Sequence, residues 1–277
     1  MFTFESKNNN IYVYGVDTLN LAQTLDCGQA NRWREKSNGI WQGVAFNKYL
    51  EIEKLDDGTV IFYNTTASDF ENIWCDYFDF NRDYTEIIKA ISSNEVLKKA
   101  AEYGKGIRVL NQEPWETLCS FIISQNNNIK RIKGIIERLC ENFGDDMGGY
   151  FTFPTPEKLA GLSPEDLAVL RSGFRAKYIL DAAQKVSNKE IDLNNLKNLS
   201  CVDAQKELMK IKGVGPKVAD CALLFSHRHI EAFPKDVWIK RAMEVLFEGN
   251  LPKEAEKYAG IVQQYIFFYA RETKLNI

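Results

Sequence analysis

The sequence predicts an α+β chain, with a small N-terminal antiparallel β domain over residues 1–80 and a larger all-helical domain over 81–277. Three observations carry that expectation. Runs rich in β-branched and aromatic residues fill the first eighty positions, Asp57-Gly58 puts a tight-turn dipeptide between two of them, and from about Asp83 apolar residues recur at three-and-four spacing.

In chain order, the expected strands are Ile11-Tyr12-Val13-Tyr14, Trp41 to Phe46, Tyr49 to Leu55 and Thr59 to Tyr63, the last two forming a hairpin through Asp57-Gly58. The helical period then appears in Ile87, Ile88 and Ile91, in Leu118, Phe121 and Ile122, and in Ile132, Ile135, Ile136 and Leu139. Pro114 and Pro164 suit first helical turns, with Ser163 as N-cap of a helix beginning Ser163-Pro164-Glu165-Asp166, while Pro154 and Pro156 mark a loop. No internal repeat, low-complexity tract or flexible linker interrupts the pattern.

With 277 residues, 45% hydrophobic and 26% charged, the chain can bury a substantial core. No segment approaches the uninterrupted apolar length needed to span a bilayer, and the N-terminus has no basic-then-apolar signal, so a soluble, intracellular protein with no membrane partner is expected. The six cysteines, at 27, 75, 119, 140, 201 and 221, stand singly with no C-x-x-C pair, which predicts reduced, mostly buried thiols and no metal site. A net charge of −3 is no basic footprint for nucleic acid, but Lys130, Arg131, Lys133 and Arg138 form one basic group and Lys206, Lys210, Lys212 and Lys217 another. Taken alone, each group reads equally as a solvated helix face.

The most informative stretch is Leu208 to Leu224. An amphipathic helix is expected to end at Gly213, Gly215 to take a backbone conformation that other residues avoid, and Pro216 to start the next helix. Free amides at that second N-terminus, with no side chain on Gly213 or Gly215 to block approach, suit a phosphate. Lys217 then stands in the first turn, where the macrodipole opposes a cation. That opposing field, with partial burial beside Val218, Leu223 and Leu224, favours a free nucleophilic amine; an ordinary solvent-facing lysine fits the residues as well. Downstream, Ala232-Phe233-Pro234-Lys235-Asp236-Val237-Trp238 reads as a loop entering a helix with Asp236 as its N-cap, which would also hold a carboxylate where cationic charge can develop.

Gly213-Val214-Gly215-Pro216-Lys217, followed by Asp236 nineteen residues on, resembles the helix-hairpin-helix (HhH-GPD) glycosylase signature, and within that superfamily the chain resembles the 8-oxoguanine DNA glycosylase/AP lyases. Four further blocks carry the likeness in order: Cys27 to Glu35, Cys119 to Ile129, Gly173 to Tyr178, and Tyr258-Ala259-Gly260 through Gln263 to Phe267. The resemblance implies two helical lobes with the active site between them, the hairpin near 206–224, and Lys217 and Asp236 as catalytic residues. It implies that the Gly28 carbonyl accepts from N7–H of the oxidised base, that Gln263 reads its pairing edge, and that Phe267 and Cys221 cover its two faces. Asn126 would fill the vacated space in the duplex, Arg131 and Arg175 would bond the estranged cytosine, and Gly213 and Gly215 would meet phosphate. Two positions depart from the pattern: Trp238 stands where a histidine is expected and Asn31 where an aromatic residue is. The implied partner is damaged double-stranded DNA, bound by a monomer, and the implied chemistry needs no metal or organic cofactor.

Overall fold

The computed structural model describes residues 2–37 and 39–273; residues 1, 38 and 274–277, including the outer ends of both expected domains, lie outside the described residues. Six antiparallel strands, β1 (Thr3–Lys7), β2 (Asn10–Tyr14), β3 (Trp33–Ser37), β4 (Ile40–Ala45), β5 (Lys48–Lys54) and β6 (Val60–Tyr63), form one sheet in the order β1-β2-β6-β5-β4-β3. Alternation buries Ile11 and Val13 on β2, Leu50 and Ile52 on β5, and Val60 and Phe62 on β6. The short helix α1 (Leu21–Leu25) crosses between β2 and β3.

Against the sheet packs an aromatic layer from α2 (Ala67–Asp69), a π-helical turn (Phe70–Trp74) and α3 (Cys75–Tyr77). Phe70, Trp74, Tyr77 and Phe78 are buried there with Trp33, whose indole N–H donates to the Tyr77 hydroxyl at 2.7 Å. Each such ring removed from water contributes about 2–3 kcal/mol, so this layer outweighs any single strand pairing.

The helical part comprises α4 (Tyr84–Ile91), α5 (Glu95–Gly104), α6 (Pro114–Ser124), α7 (Ile129–Phe143), α8 (Pro156–Ala160), α9 (Arg175–Ser187), α10 (Cys201–Leu208), α11 (Pro216–Ser226), α12 (Val237–Phe247) and α13 (Ala259–Glu272). A second core runs through it, with α13 against α5 and α11 against α6. Among the described residues, no helix is long and apolar enough to cross a membrane. The expected order, antiparallel sheet and then helices, is borne out.

Several local expectations are corrected. Strands β1 and β3 were not foreseen, because only Trp33 among their ten residues is buried and no apolar alternation marks them. Pro156 lies inside α8, with Thr155 as N-cap accepting from Lys158 N, and is not a loop marker. The turn at Ser163 leads into a single 3-10 helix, Asp166–Leu170, not an α-helix. The helix before the hairpin stops at Leu208, with Met209 as C-cap, well short of Gly213.

Candidate active site

Lys217 follows Pro216 in the first turn of α11 and is half-buried, its Nζ 5.3 Å from the centroid of the Phe121 ring on α6, a face that attracts a cation. One turn on, Cys221 is buried, and burial pushes its thiol up to about 11; Lys217 pulls against that shift, while Asp220 and Asp236 add to it. The Cys221 thiol therefore lies within the electrostatic reach of both Lys217 and Asp236. Asp236 caps α12, one carboxylate oxygen accepting from Ile239 N at 2.7 Å and its carbonyl accepting from Lys240 N at 2.9 Å.

Two contacts draw the C-terminal helix onto this loop. Gly260 N donates to Ile230 O at 2.7 Å, and a Cβ on Gly260 would sit 2.3 Å from Leu224 and 2.7 Å from the Ala232 carbonyl. The backbone of α13 therefore approaches the 230–232 segment as only glycine allows. One turn further along, Gln263 is buried and its Nε2 donates to Pro234 O at 3.3 Å. Phe267, four residues on, is half-buried and lines a cavity of about 230 Å³ with Trp238, Ile239, Ala242, Ala270 and Arg271. Trp238, the departure from the expected histidine, is an exposed aromatic on that rim.

Gly28 is exposed with φ +93°, and no atom lies within 4 Å of where its Cβ would be, so the conformation demands glycine while its surface stays open. Its neighbour Gln29, which sequence reasoning passed over, is buried and fully used: Nε2 donates to Thr24 O (2.8 Å) and Arg108 O (2.7 Å), and Oε1 accepts from Leu110 N (2.9 Å). These bonds fasten the Gly28 loop to the strand-like segment before α6. Two of the three partners, Arg108 and Leu110, lie 79 and 81 positions away, beyond the reach of local pattern.

The asparagine triplet divides its labour. Asn128 caps α7 by accepting from Arg131 N at 3.0 Å, and Asn127 donates to Ile123 O at 3.1 Å, while Asn126 is exposed at φ +45° with its side chain outside these bonds. Arg175 is buried, its Nε donating to Gln125 O at 2.8 Å, Nη1 to Ser172 O at 3.1 Å and Nη2 to Asn126 O at 2.9 Å and also to Gln125 O. Burial, and then the charge of Arg131, lower its pKa. Its guanidinium also lies 4.5 Å from the ring centroid of Phe174, an exposed aromatic that the sequence did not single out. Arg131 is exposed, with Nη2 3.3 Å from Arg171 O.

The hairpin inverts the expected roles of its glycines. Gly215 is extended at φ −98°, ψ 179°, with open space around its Cβ position; Gly213 takes φ +80°, and the Tyr178 ring fills its Cβ space at 2.3 Å. Gly215 therefore supplies the bare approach and Gly213 the special backbone. No side chain caps α11, and Pro216 has no N–H, so the first-turn amides have no side-chain acceptor.

The basic groups shrink on inspection. Lys206 pairs with Asp203 (3.0 Å), Lys210 with Glu207 (2.7 Å) and Lys133 with Asp26 (3.1 Å), and Arg138 donates to Leu170 O. Among the described residues, Lys130, Lys212 and Lys217 make no ion pair. Elsewhere, Cys201, His229 and Glu231 bring one possible metal-ligand atom each within 4.8 Å, but His229 already uses Nδ1 on Glu231 and Nε2 on Leu196 O, each at 3.0 Å.

Residues 119–264 match the HhH-GPD superfamily of base excision DNA repair proteins, and residues 11–118 match the 8-oxoguanine DNA glycosylase N-terminal domain. The chain belongs to the HhH-GPD superfamily. An N-glycosylase/DNA lyase of Saccharomyces cerevisiae is 44% identical to this HhH-GPD protein over 243 residues, 79% of this chain and 60% of the yeast protein, less than two thirds of that relative's length. Two solved structures superpose along nearly all of it. MBOgg1 in complex with a low-affinity DNA ligand has a TM-score of 0.93 at 43% identity, covering 99% of this chain and 100% of the other. The Clostridium acetobutylicum 8-oxoguanine glycosylase/lyase, bound to double-stranded DNA with cytosine opposite 8-oxoguanine, has a TM-score of 0.91 at 39% identity, covering 99% of both chains.

Proposed function

We propose that this HhH-GPD protein is a bifunctional DNA glycosylase/AP lyase that excises 8-oxoguanine, and formamidopyrimidine lesions, from duplex DNA, acting as a monomer. The observation that carries the reading is the placement of Lys217, half-buried in the first turn of α11 behind the open Gly215, together with Asp236 fixed as the N-cap of α12 beside the segment that Gln263 and Gly260 hold. The match of residues 11–118 to the 8-oxoguanine DNA glycosylase N-terminal domain, the name of the Clostridium acetobutylicum 8-oxoguanine glycosylase/lyase and the fit along nearly the whole chain support it.

A base within the stack cannot be reached, so the lesion must be turned out and the gap filled. Asn126 enters that gap, while Arg131 and Arg175 face the estranged cytosine. The Gly28 carbonyl meets N7–H, which 8-oxoguanine carries and guanine lacks; guanine would leave two acceptors facing each other, at about 1–3 kcal/mol. Gln263 reads the pairing edge between Phe267 and Cys221.

In the chemical step, the Lys217 amine forms a bond to C1′ as the C1′–N9 bond breaks and its electron pair leaves with the purine. Asp236 stabilises the positive charge that develops at the sugar. Opening of the sugar ring gives a protonated imine between Lys217 and C1′, and loss of a C2′ proton expels the 3′ phosphate. Borohydride trapping on a duplex with 8-oxoguanine opposite cytosine tests the sequence of steps: a covalent adduct is expected with the wild type and none with Lys217→Gln. No adduct with the wild type would reject the lyase mechanism.

A further inference from the structure

Next to the proposed base reader lies a second buried glutamine that the catalytic scheme leaves unused. Gln264 Nε2 donates to Gln263 Oε1 at 2.5 Å, and the Cys27 thiol, adjacent to Gly28, lies 3.6 Å from Gln264 Oε1 and 3.4 Å from Thr24 O. At the other end of the chain of bonds, Gln263 Nε2 donates to Pro234 O, two residues before Asp236. Cys27, Gln263 and Gln264 are all buried, and Cys27 is set in the helical core although the chain around it belongs to the β part.

Direction in this chain follows from chemistry. The Pro234 carbonyl only accepts, so it holds the Nε2 of Gln263; Oε1 of Gln263 must then face a donor, which is Nε2 of Gln264, and Oε1 of Gln264 is left facing the Cys27 thiol, whose one S–H it shares with the Thr24 carbonyl. Turning over either amide would set two acceptors or two donors against each other in a dry site, costing about 1–3 kcal/mol for each unpaired group. Gln263 therefore has one N–H and one lone pair left, in fixed places.

We infer that Gln264 is a specificity-determining positioning residue: by holding Oε1 of Gln263 while the Pro234 carbonyl holds Nε2, it raises the cost of turning that amide over, so that Gln263 reads a guanine-type edge and rejects an adenine-type one. The inference rests on the proposed role of Gln263. A guanine-type edge offers an acceptor at position 6 and a donor at N1, and an adenine-type edge offers the reverse. A glutamine held at one end only turns over more cheaply to suit the second; one held at both ends suits the first. Cys27 carries the same constraint to the loop of Gly28, so the reader of the pairing edge and the reader of N7 share one buried connection.

The test compares single-turnover excision of 8-oxoguanine with that of 8-oxoadenine, which keeps the oxidised C8 and the N7–H but reverses the pairing edge, and follows cleavage of a preformed abasic site in parallel. Gln264→Leu should lower the preference for 8-oxoguanine about tenfold, the loss of one directed hydrogen bond, with abasic-site cleavage unchanged. Gln264→Glu keeps the shape but only accepts, so it should lower the preference at least as far; a merely space-filling role predicts that it behaves as wild type. If Gln264→Leu also loses abasic-site cleavage, Gln264→Glu decides. Wild-type excision with the preference unmoved in the variants overturns this inference alone. Failure of the wild type to excise 8-oxoguanine overturns the parent reading and this inference together.

Discussion

Arg175 has its Nε and both Nη atoms already donating to the carbonyls of residues 125, 126 and 172. It thereby sets the direction in which Asn126 leaves the body of the protein. Arg175→Ala should cost about 2–4 kcal/mol in urea unfolding, because several buried carbonyls lose their donors together. Asp236 allows a cleaner separation of duties. Asn caps a helix as well as Asp does, so Asp236→Asn should change stability by no more than about 0.5 kcal/mol while slowing excision about a hundredfold in single-turnover assays. The proposed roles of Lys217 and Asp236 come from the sequence through the resemblance of the hairpin, the lysine and the aspartate nineteen residues on to the HhH-GPD signature; unaided, the residues fit an ordinary lysine and a helix cap as well. Gln29 and Gln264 were not legible there, since their meaning lies in partners such as Arg108 and Cys27, far along the chain.

At the scale of elements, the hairpin between α10 and α11 separates two glycines that look alike in sequence. Gly213→Ala must force a Cβ into φ +80° and into the Tyr178 ring, so it should destabilise by about 2–4 kcal/mol in thermal or chemical unfolding. Gly215→Ala meets open space in an ordinary conformation and should alter stability by less than about 0.5 kcal/mol. It should instead weaken duplex binding in a titration, through the bulk it adds where a phosphate approaches. The same contrast explains which elements the sequence disclosed. Strands β2 and β5 have a buried, alternating face and β6 a continuous buried run; β1 and β3 present nearly all their residues to solvent, so pairing with a neighbour makes them strands and no periodicity announces it.

Across the whole molecule, the β part is tied to the helices by bonds that include a partly buried ion pair, Arg32 to Glu116 at 3.3 Å. Burial raises the Glu116 carboxyl from 4.5 to about 7, Arg32 opposing the shift and Glu113 adding to it. A carboxyl raised on folding binds more protons in the folded state than in the unfolded one between those two values, so this group contributes stability that is present at and below pH 4.5 and is lost as pH rises toward about 7. Unfolding curves of wild type and Glu116→Gln, compared from pH 4.5 to 7.5, should diverge across that window, the wild type losing stability relative to the variant as pH rises. Parallel curves would show that the pair titrates outside it.

All six cysteines are free, and burial raises every one of their thiols: Cys27, Cys201 and Cys221 to about 11, Cys140 to about 12, with Cys75 raised and Cys119 well above its ordinary value. At pH 7 a thiol of that kind is ionised in roughly one molecule in ten thousand, and it is the thiolate that peroxide attacks. Under the proposed activity, the oxidants that damage guanine would therefore meet chemically quiet thiols at Cys221, one turn from Lys217, and at Cys27, beside Gly28. An enzyme with the proposed activity would have to stay intact under the very oxidants whose damage it removes.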